Sequence, residues 1–252
     1  MAALTLDVTD KVILITGASR GIGAETAVRA AECGARVVVN YNSSEAAARE
    51  VARKAGGMAI KADVAKPDEV AAMIDRTVAE LGALHVVVNN AAIFDFNPFD
   101  NDDYGAWQRG WQRTFDVNVF GAANVAYLAM RWMRANGGGK IINVASRAAF
   151  RGETEFADYG ASKAALVNFT RSIARACAKD NIVASCVAPG FIDTDMAREE
   201  IEKHRDDIEA QIPLRRVGTV ADVAGAIVYL ASPLGDYLNG TTIDINGGSW
   251  FH

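Results

Sequence analysis

The sequence has little of what marks a secreted, membrane-spanning or nucleic-acid-binding protein. Its three cysteines, Cys33, Cys177 and Cys186, fit neither a disulfide framework nor a metal or CxxC motif, which favours reduced, buried thiols and no metal site. No apolar run approaches the roughly 18 residues of a membrane span. The opening residues MAALTLDVTD lack the basic and apolar regions of a signal peptide, and the net charge of −5 offers no basic surface. We therefore expect a cytoplasmic protein that binds neither a membrane nor nucleic acid.

What the 252 residues do contain is a regular alternation of strand-like and helix-like segments. Apolar runs typical of buried parallel strands occupy residues 11–16, 35–40, 58–64, 83–90, 140–146, 181–190 and 241–247. Helical patterns separate them at 21–34, 43–57, 67–82, 104–135, 158–179 and 219–231. The alternation predicts one α/β domain over residues 1–252, with a doubly wound parallel sheet of about seven strands flanked by helices. Such sheets bind ligands where the strands end.

A glycine-rich loop, TGASRGIG at 16–23, lies between the first strand and the first helix. The spacing of Gly17, Gly21 and Gly23 differs from the G-x-G-x-x-G fingerprint of dinucleotide sites. Glycines there still permit a tight turn and a close approach of a pyrophosphate to a helix N-terminus. The alternative is a plain turn, but a position after the first strand of a βαβ unit favours nucleotide binding.

A second candidate is the run DYGASKAA at 158–165, in which Tyr159 and Lys163 lie four residues apart. On a helix both side chains leave the same face, as they also would at the solvent edge of an ordinary amphipathic helix. A nearby ammonium group favours the phenolate, but lowering a tyrosine pKa from about 10 by roughly three units takes about 4 kcal/mol. Only a nucleotide site elsewhere in the chain decides between the two interpretations.

Taken together, the motifs resemble those of the short-chain dehydrogenase/reductase family, near its 3-oxoacyl-carrier-protein reductases. In order they are TGASRGIG, Asp63-Val64, NNAA at 89–92, Asn118 in DVNVFG, Ser146 in NVAS, YGASK at 159–163 and PG at 189–190. The resemblance covers nearly the whole chain. It implies a Rossmann-type fold, a nicotinamide-dependent conversion between a secondary alcohol and a ketone, and a homotetramer.

The resemblance also implies roles for individual residues. Tyr159 becomes the general acid/base, and Lys163 lowers its pKa and binds the nicotinamide ribose. Ser146 holds the substrate carbonyl or hydroxyl group, and Asn118 supports the site and a proton relay through water. The predicted cofactor-binding residues are Gly17, Ser19, Arg20, Gly21, Ile22, Gly23, Asn40, Ser43, Asp63, Val64, Asn90, Ala91, Tyr159, Lys163, Pro189, Gly190, Ile192 and Thr194.

The end of the second strand bears on the choice of cofactor. An acid there would bind the adenosine ribose hydroxyls and select NAD, and Asn40 stands at the expected position. Arg20 offers a charge-assisted hydrogen bond to a 2′-phosphate, and Asn42 and Ser43 add neutral donors. We therefore expect NADP(H) to be preferred and NAD(H) to be possible, with dual specificity as the alternative. On this reasoning Asn40→Asp turns the preference towards NAD(H).

Several positions depart from the family pattern, among them Ala92 in NNAA, Ser185 in the sixth strand and His85, for which packing or a hydrogen bond is expected. Four acids in the segment 93–107, and Asp180 where the carrier-protein reductases usually have a basic residue, oppose docking of an acidic carrier. Arg147 and Arg151 follow Ser146 and either meet a substrate anion or are ordinary solvated arginines.

The substrate therefore stays open. A carbonyl reductase of the 3-oxoacyl type leads, and a sugar, polyol or small-alcohol dehydrogenase is the alternative. A competing hypothesis from another class of protein is a sensor that binds the nucleotide without catalysing a reaction. The presence of all four catalytic residues opposes it.

Overall fold

One parallel sheet of seven strands lies at the centre of the computed structural model, which describes residues 6–252. The strand order is β3-β2-β1-β4-β5-β6-β7, and every neighbouring pair runs parallel. The strands are β1 (Val12–Ile15), β2 (Arg36–Tyr41), β3 (Met58–Lys61), β4 (Val86–Asn89), β5 (Gly139–Val144), β6 (Ile182–Pro189) and β7 (Thr242–Ile245). The order reverses between β1 and β4. The predicted doubly wound sheet is confirmed.

Helices cover both faces of this sheet. They are α1 (Gly21–Glu32), α2 (Glu45–Lys54), α3 (Pro67–Leu81), α4 (Tyr104–Phe115), α5 (Ala122–Ala135), α6 (Ala148–Arg151), α7 (Ala157–Cys177), α8 (Arg198–Ala210) and α9 (Val220–Ala231). Apolar residues of α1, α2 and α9 share one core with the sheet, and those of α3, α5 and α7 share the core on the opposite face. Because each strand meets a helix layer on both sides, the strands read as continuous apolar runs.

Local signals set several helix ends where the sequence predicts them. Pro67 opens α3 at its first turn with two acids beside it, which favours the positive end of the helix dipole. Gly34 follows the end of α1 with a φ of 93°, a backbone conformation that glycine adopts without strain. Thr219 and Asp222 form a reciprocal capping box at the start of α9.

The predicted helix over 104–135 is not continuous. Between α4 and α5, residues Asp116–Gly121 form a π-helical segment, in which an extra residue widens the turn. Two further helices, α6 and α8, were not predicted. In α8 only Ile201 and Ile208 are buried, so the apolar pattern of this charged segment is too sparse to indicate a helix.

His85 and the three cysteines lie in ordinary structural positions. His85 Nδ1 accepts the backbone N–H of Val12 at 2.9 Å, which confirms the predicted hydrogen bond. Cys177 and Cys186 are buried free thiols, whereas Cys33 is partly accessible. Over residues 6–252, no cluster of three or more His, Cys, Asp or Glu side chains is arranged to hold a metal ion. Within the same range, no helix combines the length and the apolar character that crossing a bilayer requires.

Candidate active site

A cavity of about 1270 Å³ opens at the carboxyl ends of the strands. The loops after β1 to β6 form its walls, which is where an open α/β sheet binds its ligands. Ser146, Tyr159, Lys163 and every predicted cofactor residue except Gly23 line this cavity. The structure therefore brings the predicted glycine loop and the predicted catalytic groups into one site.

The glycines of the first loop are needed for close packing. Gly17 and Gly21 have φ angles of 61° and 58°. A Cβ atom on Gly17 would lie 2.8 Å from the Cα of Ala91. Gly23 lies behind the loop, where a Cβ would be 2.6 Å from Asn90 Nδ2 and 2.9 Å from the Gly17 carbonyl oxygen. Gly23 thus lets the loop and the residues after β4 meet, and the N-terminus of α1 stays open to an anion.

Asn90 fastens this loop to β4. Its side-chain amide donates to the carbonyl oxygens of Thr16 at 2.9 Å and Gly17 at 3.1 Å. Thr16 Oγ1 accepts the backbone N–H groups of Asn90 and Ala91, both at 3.0 Å. The resemblance places Asn90 near a ribose, and the structure shows that it also fixes the shape of the loop.

Asn40, near the end of β2, is held by hydrogen bonds inside the protein. Its side chain is 1% exposed. Its Oδ1 accepts the N–H of Gly17 at 3.2 Å, and its Nδ2 donates to the Ala62 carbonyl oxygen at 3.0 Å. Both ends of the amide are therefore engaged inside the protein. Asn40 lines the cavity beneath the glycine loop with its amide held by the protein, and its contact with the cofactor stays a prediction.

The residues around Asn40 do face the cavity. Arg20, Asn42 and Ser43 are exposed side chains on its wall. Arg20 forms no ion pair with any residue between 6 and 252. No acid stands between Asn40 and Glu45 in the sequence. A cation and two neutral donors without a carboxylate fit a phosphate group better than a bare hydroxyl.

On the opposite wall, α7 presents Tyr159 and Lys163 from its first two turns. Lys163 is 2% exposed, and its Nζ donates to the Val144 carbonyl oxygen at 2.8 Å. The same nitrogen lies 5.5 Å from the centroid of the Tyr159 ring. The predicted arrangement on one helix face is present.

Burial dominates the pKa values of this pair in the protein alone. Burial raises the pKa of Tyr159 to about 12, and the hydrogen bond with Ser146 opposes this only in part. Burial also lowers the pKa of Lys163 to about 8. In the protein alone, burial of the phenol therefore sets the direction of its pKa shift. At neutral pH Tyr159 is a protonated donor, which is the form that delivers a proton to a carbonyl oxygen.

Ser146 and Asn118 contribute in different ways. Ser146 Oγ accepts the backbone N–H of Ala148 at 3.1 Å, which orients its own hydroxyl towards Tyr159. Asn118 is fully buried in the π-helical segment and does not line the cavity. Its amide exchanges two hydrogen bonds with the Ile93 backbone, at 2.9 and 3.1 Å, and donates to Ser162 Oγ at 3.0 Å. These bonds show that Asn118 supports the site, and its part in a proton relay stays a prediction.

Two parts of the site escaped prediction. The Phe94 ring stacks on Phe156 at 3.9 Å and meets the Tyr159 ring edge-on at 4.8 Å, so aromatic rings cover the phenol. Asp158 is buried and accepts Thr114 Oγ1 at 2.7 Å and the Tyr159 N–H at 2.9 Å. The aromatic run IFDF and the acid beside Tyr159 were the available signals.

Comparison with known proteins places the chain in the same family that its motifs resemble. A family model described as Enoyl-(Acyl carrier protein) reductase matches residues 17–249. The 3-oxoacyl-[acyl-carrier-protein] reductase FabG of Staphylococcus aureus (strain N315) is 39% identical over 245 residues, which cover 95% of this chain and 98% of the relative. The chain belongs to the short-chain dehydrogenase/reductase family. A Short-chain type dehydrogenase/reductase of Picea abies is 37% identical over 94% of this chain and 92% of its own length.

Solved structures of similar proteins share the whole architecture of this short-chain dehydrogenase/reductase. A gluconate 5-dehydrogenase from Burkholderia cenocepacia J2315, in complex with NADP and tartrate, superposes with a TM-score of 0.89 and 33% identity, covering 97% of this chain and 96% of that one. A putative short-chain alcohol dehydrogenase from Sinorhizobium meliloti 1021 gives 0.88 and 35%, covering 97% and 98%. The chain is an NAD(P)-dependent oxidoreductase that acts on secondary alcohols and ketones.

Proposed function

We propose that this short-chain dehydrogenase/reductase reduces a ketone to a secondary alcohol and prefers NADPH, with NADH as a possible substitute. The carrying observation is that Tyr159, with Lys163 beside it, and an exposed Arg20 that has no ion pair among residues 6–252 line one cavity. The glycine loop, the open N-terminus of α1 and the neutral donors Asn42 and Ser43 fit a dinucleotide with a 2′-phosphate. The Burkholderia gluconate 5-dehydrogenase was crystallised with NADP, which supports the preference.

The bound cofactor supplies the hydride. Ser146 holds the carbonyl oxygen of the substrate through its hydroxyl group, and Tyr159 delivers a proton to that oxygen. Lys163, fixed on the Val144 carbonyl, holds its ammonium group below the ring of Tyr159, where it stabilises negative charge that develops on the phenol. Phe94 covers the phenol and keeps water away from it.

The substrate in this proposal is a ketone of the 3-oxoacyl type or a small polar alcohol such as a sugar or polyol. Asp180 pairs with Arg134 at 2.9 Å, which neutralises a surface cation that an acidic carrier protein would need. Relatives in the family are named both for 3-oxoacyl groups and for gluconate. Free substrates are therefore a specific alternative to carrier-bound ones.

We also propose that residues 1–252 form one domain and that four copies assemble, with α5 and α7 packing against their copies and β7 at a second interface. Phe120, in the π-helical segment before α5, and Tyr127, on α5, are 54% and 59% exposed. Strand β7 is an edge of the sheet with unpaired backbone groups, and Phe251 beyond it is 79% exposed. Light scattering should give four times the chain mass of 26.8 kDa, and a monomeric mass at micromolar concentration would contradict the assembly.

Replacing Tyr159 with Phe tests the proposed reaction. The variant keeps the ring that packs on Phe94 and removes only the titrating hydroxyl, so kcat for ketone reduction should fall by about 10²–10⁴. NADPH binding, followed by cofactor fluorescence, should be retained. Tyr237→Phe makes the same change at a fully exposed position and serves as the control.

Two results would contradict the proposal. Near-normal kcat in the Tyr159→Phe variant would remove Tyr159 from the reaction. Equal or better kcat/KM with NADH than with NADPH in the wild type would remove the cofactor preference.

A further inference from the structure

The cavity that holds Ser146 and Tyr159 is also lined by a buried arginine, which has no acidic partner within residues 6–252. Arg147 directly follows Ser146, lines the cavity and is 4% exposed. Its Nη1 donates to Ser249 Oγ at 2.9 Å, and its Cζ lies 4.5 Å from the centroid of the Phe191 ring. Between residues 6 and 252, no carboxylate lies within 4.0 Å of its guanidinium group. The guanidinium group thus contacts one neutral hydroxyl and one aromatic face.

Such an environment is costly for a charge. Guanidinium groups stay protonated in proteins, so Arg147 cannot escape the cost of burial by losing its proton. A cation–π contact and a single hydrogen bond to a hydroxyl use a small part of its five N–H donors. Buried charges normally have a charged partner, because an uncompensated one is strongly destabilising. An anion from outside the chain would supply that partner.

Three of the other cations of the cavity wall have partners, and Arg20, which has no ion pair within residues 6–252, is an exposed side chain on the glycine loop. Arg113 pairs with Asp95 at 2.9 Å, and Lys163 donates to Val144. Arg151 is exposed and lies 3.8 Å from Glu153. Arg147 is therefore the buried guanidinium that is free to bind a ligand among the cavity residues of the described range.

We propose that Arg147 binds a carboxylate of the substrate, so that the enzyme acts on a small keto acid and the corresponding hydroxy acid. This inference rests on the proposed function as a ketone reductase and specifies its substrate class. The guanidinium lies against the ring of Phe191, which lines the same cavity as Ser146 and Tyr159, so one small substrate can meet both Ser146 and Arg147. The backbone N–H of Arg147 donates to the Pro189 carbonyl at 2.9 Å, which fixes the start of the side chain.

The charge of the site favours a carboxylate over other anions and over a thioester. One guanidinium fork matches the two oxygens and the single charge of a carboxylate. A phosphate dianion would meet the field of Glu153, which acts on both Arg147 and Tyr159. A 3-oxoacyl thioester carries no charge near its ketone and would leave Arg147 unpaired. During the reduction the carboxylate is unchanged, since hydride goes to the carbonyl carbon and the proton of Tyr159 to its oxygen.

A purely structural role for Arg147 is the competing explanation. Its bond to Ser249 holds the segment after β7, where the ring of His252 also stacks on Phe150 at 3.8 Å. If this were its whole purpose, loss of the Ser249 hydroxyl and loss of the guanidinium group would have similar consequences. The two roles therefore differ in a measurable way.

The experiment compares small keto acids with their methyl esters, which have the same carbon chain and no charge, in the presence of NADPH. The variants are Arg147→Gln, Arg147→Lys and Ser249→Ala. Arg171→Gln is the matched control, because it removes an exposed guanidinium that does not line the cavity. Melting temperatures are measured with and without tartrate, a non-reacting hydroxy acid chosen as the probe, on the NADPH-bound protein.

The wild type should prefer the acid over the ester by about 10- to 100-fold in kcat/KM, as expected for a charged hydrogen bond. Arg147→Gln should lose this preference mainly through KM and should lose stabilisation by tartrate. Arg147→Lys should keep part of both, because it keeps the charge without the fork. Ser249→Ala and Arg171→Gln should keep both.

Three results would overturn the inference. Equal kcat/KM for acid and ester in the wild type would do so while leaving the ketone reductase intact. A similar loss with acid and ester in Arg147→Gln, reproduced by Ser249→Ala, would make the residue structural. A preference for dihydroxyacetone phosphate over every keto acid would replace the carboxylate by a phosphate. By contrast, absence of turnover with all ketones and alcohols would contradict the proposed function. The shift in melting temperature with tartrate would still test whether Arg147 binds a carboxylate.

Discussion

Replacing Asn40 with Asp is the most informative single change in the cofactor half of the site. Judged by the sequence, the substitution installs an acid that repels a 2′-phosphate. In the structure it puts a second oxygen where Asn40 Nδ2 donates to Ala62 at 3.0 Å and approaches the carbonyl oxygens of Ile60 and Tyr41 at 3.4 Å. We therefore expect the main effect of the substitution to be a lower free energy of unfolding, rather than a change in cofactor preference.

The size of the loss follows from these contacts. Loss of the bond to Ala62 costs about 1 kcal/mol, and leaving buried polar groups without partners adds about 1–3 kcal/mol. The free energy of unfolding should fall by roughly 2–4 kcal/mol. For a chain of this size each kcal/mol corresponds to about 2–4 °C, so the melting temperature should fall by roughly 5–15 °C.

The loss should also depend on pH. A buried carboxylate beside carbonyl oxygens has its pKa raised above the unfolded value of about 3.9. The destabilisation therefore begins as pH rises through the unfolded pKa, grows up to the folded pKa and is constant above it. Thermal unfolding without cofactor at pH 5 and pH 8 should show the larger difference from wild type at pH 8.

Asn42→Asp is the control, because it introduces the same charge on the cavity wall at an exposed position. It should change the ratio of NADPH to NADH affinities with little change in melting temperature. An Asn40→Asp variant as stable as the wild type at pH 8, with a clear shift towards NADH, would refute the reasoning from burial.

Two more substitutions probe contacts described above. Gly23→Ala should weaken NADPH binding at least tenfold, because its Cβ would lie 2.6 Å from Asn90 Nδ2 and displace the glycine loop. The control Gly225→Ala, in helix α9 with no atom within 4 Å of the new Cβ, should leave the free energy of unfolding unchanged or raise it by up to about 1 kcal/mol. Equal NADPH affinity of Gly23→Ala and wild type would contradict this. Burial lowers the pKa of His85, so the stabilising neutral form is fully present above the unfolded pKa of about 6.5. The melting temperature of the wild type should therefore decrease as the pH falls below about 6.5, and that of His85→Gln should depend less on pH. Parallel curves of melting temperature against pH would exclude His85 as the source.

Most of the fold could be predicted because its signals are local. Each strand is an apolar run of a few residues, and Pro67 and Gly34 mark helix ends through their own backbone chemistry. The common helix face of Tyr159 and Lys163 follows from a spacing of four residues. None of these inferences needs knowledge of a distant part of the chain.

The features that escaped prediction depend on distant partners. Asn40 is occupied by Gly17 and Ala62, which lie 23 and 22 residues away in the sequence. The pKa of Tyr159 is set by burial, and no spacing between two residues reports how much protein surrounds a phenol. The π-helical segment holds Asn118 against Ile93 and Ser162, and its own sequence, DVNVFG, carries no mark of the wider turn.

The strand order has a consequence for the time course of synthesis. Strand β1 pairs with β2 through Val12 and Arg36, but its other edge waits for Val86 of β4, about 50 residues later. At 5–20 residues per second, this edge stays open for roughly 2.5–10 seconds on the ribosome. The glycine loop gains its anchor to Asn90 only when β4 arrives. The cofactor therefore cannot stabilise the shape of this loop until Asn90 has been added to the growing chain.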